Sequence, residues 1–194
     1  MDKITDFLNN EFKPLHVNDT VADAENLFLD FNYSHFPILE QDIYIGSIAK
    51  EDTEILPTSN LINEHKFNLH RFFVRSNMNW FDVFEEFSKN HTNILPVLDD
   101  KNQYVGFYEL DDVLHFLNET TFVKEDGGII VIEKETEDFT FSQICQIVES
   151  NGSKVLGVFV SNTSLTLTQI TLKISQNNFN EIIQTFRRYN YTIL

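Results

Sequence analysis

The chain offers six histidines, one cysteine and several pairs of adjacent carboxylates, and chemistry would require them to converge. A metal centre needs several ligands at one point. His35 and His91 each precede a proline-containing apolar segment, and the other histidines have no ligand spacing. There is no paired-cysteine motif, no His-x-x-x-His helix and no glycine-rich phosphate loop. Cys145 lies on an apolar helical stripe and reads as a packing thiol, not a nucleophile. Glu85-Glu86, Asp99-Asp100 and Asp111-Asp112 invite an acid–base role, but adjacent carboxylates on a helix point in different directions and read as solvated faces. The sequence predicts no metal site and no enzyme.

What recurs is a larger pattern. At an offset of 59–60 residues, segment 20–53 lies over segment 79–113: Asp23, Phe28, Pro37 and Leu39 meet Asp82, Phe87, Pro96 and Leu98, and Gly46 and Asp52 meet Gly106 and Asp112. Thr20 and Asn79 are good helix caps, each with an Asp three residues on that favours the positive helix end. Val21, Ala24, Leu27, Phe28 and Phe31 form one stripe at helical spacing, and Trp80, Val83, Phe84 and Phe87 the other. Each helix is followed by an apolar strand broken by proline, which predicts an edge or strand-start position. A polar turn and a second strand complete a hairpin. Each copy reads β-α-β-β-α, with lead-in strands near 15–17 and 72–75.

Apolar-Pro-apolar, a hairpin, then Gly-x5-Asp opening a helix resembles the CBS (cystathionine-β-synthase) repeat, present twice. The resemblance covers about residues 1–117. It implies repeat 1 at 1–56, a connecting segment at 57–72 and repeat 2 at 73–117, packed into one module that commonly forms a homodimer. It further implies clefts that bind adenosine-containing ligands: AMP, ADP, ATP or S-adenosylmethionine. By the same resemblance Asp52 and Asp112 are the ribose-binding carboxylates, the alternative being that they only cap their helices. Phe36, Pro37 and Ile38, with Leu95, Pro96 and Val97, are the implied pocket walls. Where such repeats usually carry Thr or Ser, three residues after the glycine, this chain has Ala49 and Glu109. A carboxylate at Glu109 opposes ATP or ADP there by Coulomb repulsion, and a neutral nucleoside, a cationic adenosyl ligand or no ligand fits that site better.

The stretch 118–126 is polar and reads as a linker. Beyond it, Ile129 to Ile132 reads as a strand, and Thr140 or Ser142 caps a helix with Phe141, Ile144, Cys145 and Val148 on one face. Strands at 155–160 and 165–174 follow, the second alternating Ile170, Leu172 and Ile174 with a wet face of Thr171 and Lys173. A helix capped by Asn178 and a strand at 191–193 close the order βαββαβ, the ferredoxin-like arrangement. In this position it resembles an ACT-like domain, as in acetoin-utilisation-type regulatory proteins, over 127–194. Glu135 to Ser142 contains none of the glycine that amino-acid-binding ACT domains carry there, which favours a structural or dimerising role. The chain stops directly after a strand, so a longer natural C-terminus is expected.

Composition sets the outer limits. The 194 residues carry a net charge of −16 and 19 phenylalanines, spaced as core and interface residues. Residues 1–117 hold 21 Asp and Glu against 8 Lys and Arg, and residues 118–194 hold 9 against 6. An acidic surface repels polyphosphate backbones and anionic membranes, so neither nucleic acid nor membrane is an expected partner. No apolar run approaches the roughly 20 residues of a membrane span, and no signal core is seen. The expectation is a cytoplasmic, homodimeric α+β regulatory protein: a CBS-domain pair, then a ferredoxin-like ACT-like domain. A ligand in a CBS cleft would alter a partner protein or the chain's own assembly. The alternative is a dimeric interaction scaffold whose clefts no longer bind.

Overall fold

Thr20 caps its helix as its sequence predicts: its hydroxyl accepts from Asp23 N, and the Asp23 carboxylate accepts from Thr20 N. Asn79 does the same for the second copy, accepting from Phe81 N and Asp82 N. The structure, a computed structural model, describes residues 4–194. Its chain forms two compact units, one ending at Phe116 and one beginning at Leu117.

The first unit runs β1 (Leu15–His16), α1 (Val21–Asp30), β2 (His35–Glu40), β3 (Ile43–Ala49) and α2 (Lys50–Thr53). After a 3-10 stretch at Ile62–Asn68 come β4 (Val74–Arg75), α3 (Trp80–Asn90), β5 (Ile94–Leu98), β6 (Tyr104–Glu109) and α4 (Leu110–Asn118). Two three-stranded sheets result, β1-β2-β3 and β4-β5-β6, each with a parallel first pair and an antiparallel second. Val21, Ala24 and Phe28 of α1 are buried, as are Val83 and Phe87 of α3. Phe84, expected on the buried stripe, is instead 38% exposed, because the inward face of α3 is centred on Val83 and Phe87.

The prolines correct an expectation. Pro37 and Pro96 lie on the central strand of their sheets, not on an edge. Pro37 sits opposite Ser47, whose own N–H and C=O turn away from β2 to bond His70 (2.8 and 2.9 Å). The pair is thus not hydrogen-bonded, and the proline nitrogen faces the β1 side, where pairing starts only at Ile38. No ladder bond is lost. Pro96, opposite Phe107, repeats the arrangement, with Phe107 bonding Asn9 (2.9 and 3.0 Å).

Those two bridges tie the repeats together crosswise. The segment before β4 docks on β3 of repeat 1 through His70, and the segment before β1 docks on β6 of repeat 2 through Asn9. The motif glycines mark the crossings. A Cβ on Gly46 would stand 2.8 Å from Leu69 Cβ, and one on Gly106 would stand 2.7 Å from Asn9 O, both at positive φ (152° and 147°). The core follows the same crossing: Phe12 stacks on Phe107 at 4.5 Å and meets Phe36 edge-on at 4.9 Å.

The second unit contains α5 (Thr121–Lys124), β7 (Gly128–Glu135), α6 (Phe141–Ser150), β8 (Val155–Thr163), β9 (Leu167–Ile174), α7 (Phe179–Arg188) and β10 (Thr192–Ile193). The antiparallel sheet order β10-β7-β9-β8 is that of a ferredoxin-like fold. Thr140 is the cap of α6. Ile144, Ile147 and Val148 of α6, with Ile182 and Phe186 of α7, cover Ile130, Ile132, Ile170, Leu172 and Ile174. Phe141 is exposed and Cys145 half-buried, so the stripe lies one residue away from the expected one, through Ile147. Burial, then Glu149, push the Cys145 thiol pKa up, consistent with an inert thiol. Asn178 makes no cap bond; it adopts a left-handed conformation and donates to Asn151 O. Lys173 is buried rather than wet, its ammonium donating to Val123 O at 3.2 Å. The cause is α5, which lies within the stretch read as a linker and sets Phe122 against Gly157 and Phe159. Among the described residues no helix is long and apolar enough to cross a membrane.

Candidate functional site

The crosswise docking leaves two clefts in the first unit, related by the repeat. Where β2 and β5 begin, the repeats are bonded to each other: Asn93 Oδ1 accepts from Ser34 N (2.8 Å), and Ser34 Oγ accepts from Asn93 N (3.2 Å). Each partner also steadies a following helix, since Ser34 O accepts from Lys50 N and Asn93 O from Leu110 N, both at 3.0 Å. A cleft opens on either side of this joint.

The first cleft has a volume of about 590 Å³, within the range of small-molecule sites. Its charged lining is Lys50 and Glu51 at the start of α2, Arg71 of the connecting segment, and Lys89 near the end of α3. His35, His70 and His91 complete it, with Ser34, Ala49, Phe72 and Asn90. Asp52 stands behind His70, whose Nε2 lies 3.3 Å from Asp52 Oδ2. That buried oxygen has no hydrogen bond among the described residues, and neither has His35 Nε2. Burial, and after it the neighbouring His70, lower the His35 pKa to about 4 against the opposing pull of Asp52. Lys89 is also paired with Glu85 and Glu86 (2.9 and 3.3 Å), and with Lys50 and Arg71 it gives the cavity three cationic side chains against one lining carboxylate, a lining that can hold a phosphate.

The second cleft, of about 300 Å³, is lined by Asp30, Phe31, Asn32, Tyr33, Asn93, Glu109, Leu110 and Asp111. Its charged lining is acidic throughout. Glu109 Oε1 accepts from Asn9 Nδ2 at 2.6 Å. Burial, and next the hydrogen bond to Glu109, raise the Tyr33 pKa and keep its proton on. Asp112 is held above the usual carboxylate range by burial and then by Glu109 and Asp111. Tyr33 also packs with Phe12, Phe31, Phe36 and Phe107. Glu109 is thus tied to the segment before β1.

The residues named from sequence fall into two groups. Asp52 and Asp112 are not lining residues of the clefts but directly follow two, Glu51 and Asp111, and neither is the helix cap: α2 begins after Ala49, and Asp112 is the third residue of α4. Phe36, Pro37, Ile38, Leu95, Pro96 and Val97 are buried and line neither cleft. As central strands, β2 and β5 are covered on both faces, so only their entry residues, Ser34 and His35 in one repeat and Asn93 in the other, reach a cleft. Lys50, His70, Arg71, Lys89 and His91 were not picked out from sequence. Lys50 was within reach, two residues before Asp52 in the repeated motif. His70 and Arg71 were not, because the crossing of the connecting segment brings them in. Among the described residues no group of three or more His, Cys, Asp or Glu is arranged to hold a metal ion.

Comparison with known proteins bears on this geometry. Residues 56–119 match the family model of the CBS domain. No curated protein sequence matches the chain. Among solved structures, a CBS domain pair/ACT domain protein from Thermotoga maritima is similar with a TM-score of 0.55 and 22% identity, over 61% of this chain and 98% of that one. The CBS domains of a transcriptional regulator from Streptococcus pneumoniae match with a TM-score of 0.53 and 21% identity, over 59% and 98%. CBSX2 in complex with AMP matches with a TM-score of 0.50 and 16% identity, over 59% and 95%.

Proposed function

We propose that this chain, a tandem CBS domain protein with a ferredoxin-like unit after the pair, is a regulatory module that binds an adenosine phosphate in its first cleft. One observation carries the reading: Lys50, Arg71 and Lys89 line one cavity, whose His70 is paired with Asp52. The cations would take the phosphate and Asp52 the ribose hydroxyls, while Ser34 and the Phe72 side chain flank the base. AMP bound to CBSX2, a chain of the same fold, supports this ligand class. The second cleft would stay empty of phosphates, because Asp30, Glu109 and Asp111 repel them.

On this reading the protein is a cytoplasmic homodimer with an ACT-like second unit, and ligand binding alters a partner or the protein's own assembly. A ligand can do so only through a difference in affinity between two arrangements. The test is thermal stability against AMP, ADP, ATP with and without magnesium, and S-adenosylmethionine. At about 100 times its dissociation constant, a ligand stabilises the native state by roughly 2.7 kcal/mol. A shift with an adenosine phosphate that Asp52→Ala removes is the expected result. A panel with no shift would replace this reading with that of a non-binding scaffold, the one favoured by Ala49 and Glu109.

A further inference from the structure

We propose that His35 is a specificity-determining residue of the first cleft, its Nε2 accepting a hydrogen bond from the exocyclic amine of a 6-aminopurine nucleotide, so that the cleft selects amino over oxo purines. The inference rests on the nucleotide reading of that cleft. His35 lines the cavity, is only 7% exposed, and has its Nε2 buried without a hydrogen bond among the described residues. Buried polar atoms are normally paired, and one left over in a cavity wall marks where a ligand's complementary group belongs. The counterpart of His35 in the other repeat is Ile94, whose side chain offers no polar atom.

The hydrogen bonds around Ser34 fix which ring nitrogen carries the proton. The Thr92 hydroxyl donates its one proton to Ile94 O (2.8 Å), so in its 3.0 Å contact with Ser34 Oγ it accepts. Ser34 has then used its own proton, and its Oγ can only accept from His35 Nδ1 at 2.9 Å. Burial, and next His70, lower the His35 pKa to about 4, so the ring is neutral at pH 7. A neutral imidazole protonated on Nδ1 has a bare lone pair on Nε2. That atom receives an N–H and repels a keto or phosphate oxygen. His35 also touches both residues assigned to flank the base: Ser34 through its bond, and Phe72 edge-on with ring centroids 5.0 Å apart. Asp52 Oδ2, the unbonded acceptor beside His70, is left for the ribose hydroxyls. His70 is half-exposed and packs against the His35 ring at 5.0 Å; it is the side chain that turns aside to admit the amine.

The experiment is calorimetric titration of the full chain at pH 7 with AMP, with IMP, which has an oxygen in place of the amine, and with purine riboside 5′-monophosphate, which has a hydrogen there. The wild type is expected to bind AMP at least about tenfold more tightly than either analogue, the effect of one hydrogen bond to a buried acceptor. His35→Asn keeps a donor for Ser34 Oγ and leaves no acceptor at the Nε2 position. It should bind AMP no better than the wild type binds purine riboside 5′-monophosphate, with its affinity for that analogue unchanged. Equal binding of AMP and purine riboside 5′-monophosphate by the wild type, or a preference for AMP that survives in His35→Asn, would overturn the role of His35 and leave the nucleotide reading standing. No binding of any of the three by the wild type would overturn both.

Discussion

Where the first cleft has Lys50, the second has Leu110; Lys89 becomes Asp30, and His91 becomes Asn32. The backbone around both is the same, down to the paired bonds from Ser34 O to Lys50 N and from Asn93 O to Leu110 N. A duplicated fold has therefore kept its frame and reversed the charge of its two openings. What the frame demands is repeated in both copies: the capped helices, the proline whose nitrogen needs no partner, and the glycine under the crossing segment. What only one cleft needs is found once. The second opening went further, since Glu109 is bonded to Asn9 and Tyr33.

Positions 47 and 107 offer the harshest test of this division between frame and opening. Phe107 is fully buried against Phe12, so Phe107→Ala should cost about 3–5 kcal/mol. Ser47, its counterpart in repeat 1, holds only the Tyr44 hydroxyl at 2.9 Å, and Ser47→Ala should cost about 1 kcal/mol. Urea unfolding of the two variants checks the ratio. Equal losses would mean that the core is not centred where the crossing puts it.

Gly106→Ala and Gly46→Ala probe the frame itself. Both need a positive φ and a bare Cα, and each should lose about 2–3 kcal/mol in the same assay. Loss at one position alone would break the equivalence of the repeats.

Acid separates the copies again, because only the first has a buried histidine at the strand entry. The His35 pKa of about 4 lies below that of an unfolded histidine, about 6.5. Between these values the unfolded state binds the extra proton, so the contribution of His35 to stability is intact above about pH 6.5 and is lost as the pH falls towards 4. Screening considered, roughly 1–2 kcal/mol is at stake. Stability of the wild type and His35→Asn, compared at pH 7 and pH 5, should converge at the lower value. Parallel losses would contradict it.

The smallest effect belongs to the second cleft. Asp112 has a raised pKa, so its stabilising contribution is present at low pH and is lost as the pH rises through the folded value. Asp112→Asn should therefore stabilise the protein at pH 7 by a few tenths of a kcal/mol, discounted for exposure. A measurable loss would mean that the carboxylate holds something in place.

Much of the frame could be read from the chain because it depends on local or periodic signals. The caps at Thr20 and Asn79, the 60-residue recurrence and the order βαββαβ are all of this kind. The resemblance implies pocket walls at Phe36 and Val97, yet a central strand with both faces covered shows a cleft only its entry residues. The burial of Lys173 depended on a helix of four residues, α5, within a stretch whose polarity reads as a linker. The cationic lining of the first cleft needed the crossing segments, whose long-range bridges, His70 to Ser47 and Asn9 to Phe107, leave no periodic trace.

The difference between the clefts is most directly tested by the stoichiometry and location of AMP binding. Calorimetric titration of the wild type is predicted to give one AMP per chain, lost in Lys50→Glu/Lys89→Glu and retained in Asp111→Asn. Two AMP molecules per chain, or binding that survives the charge reversal and disappears in Asp111→Asn, would contradict the account.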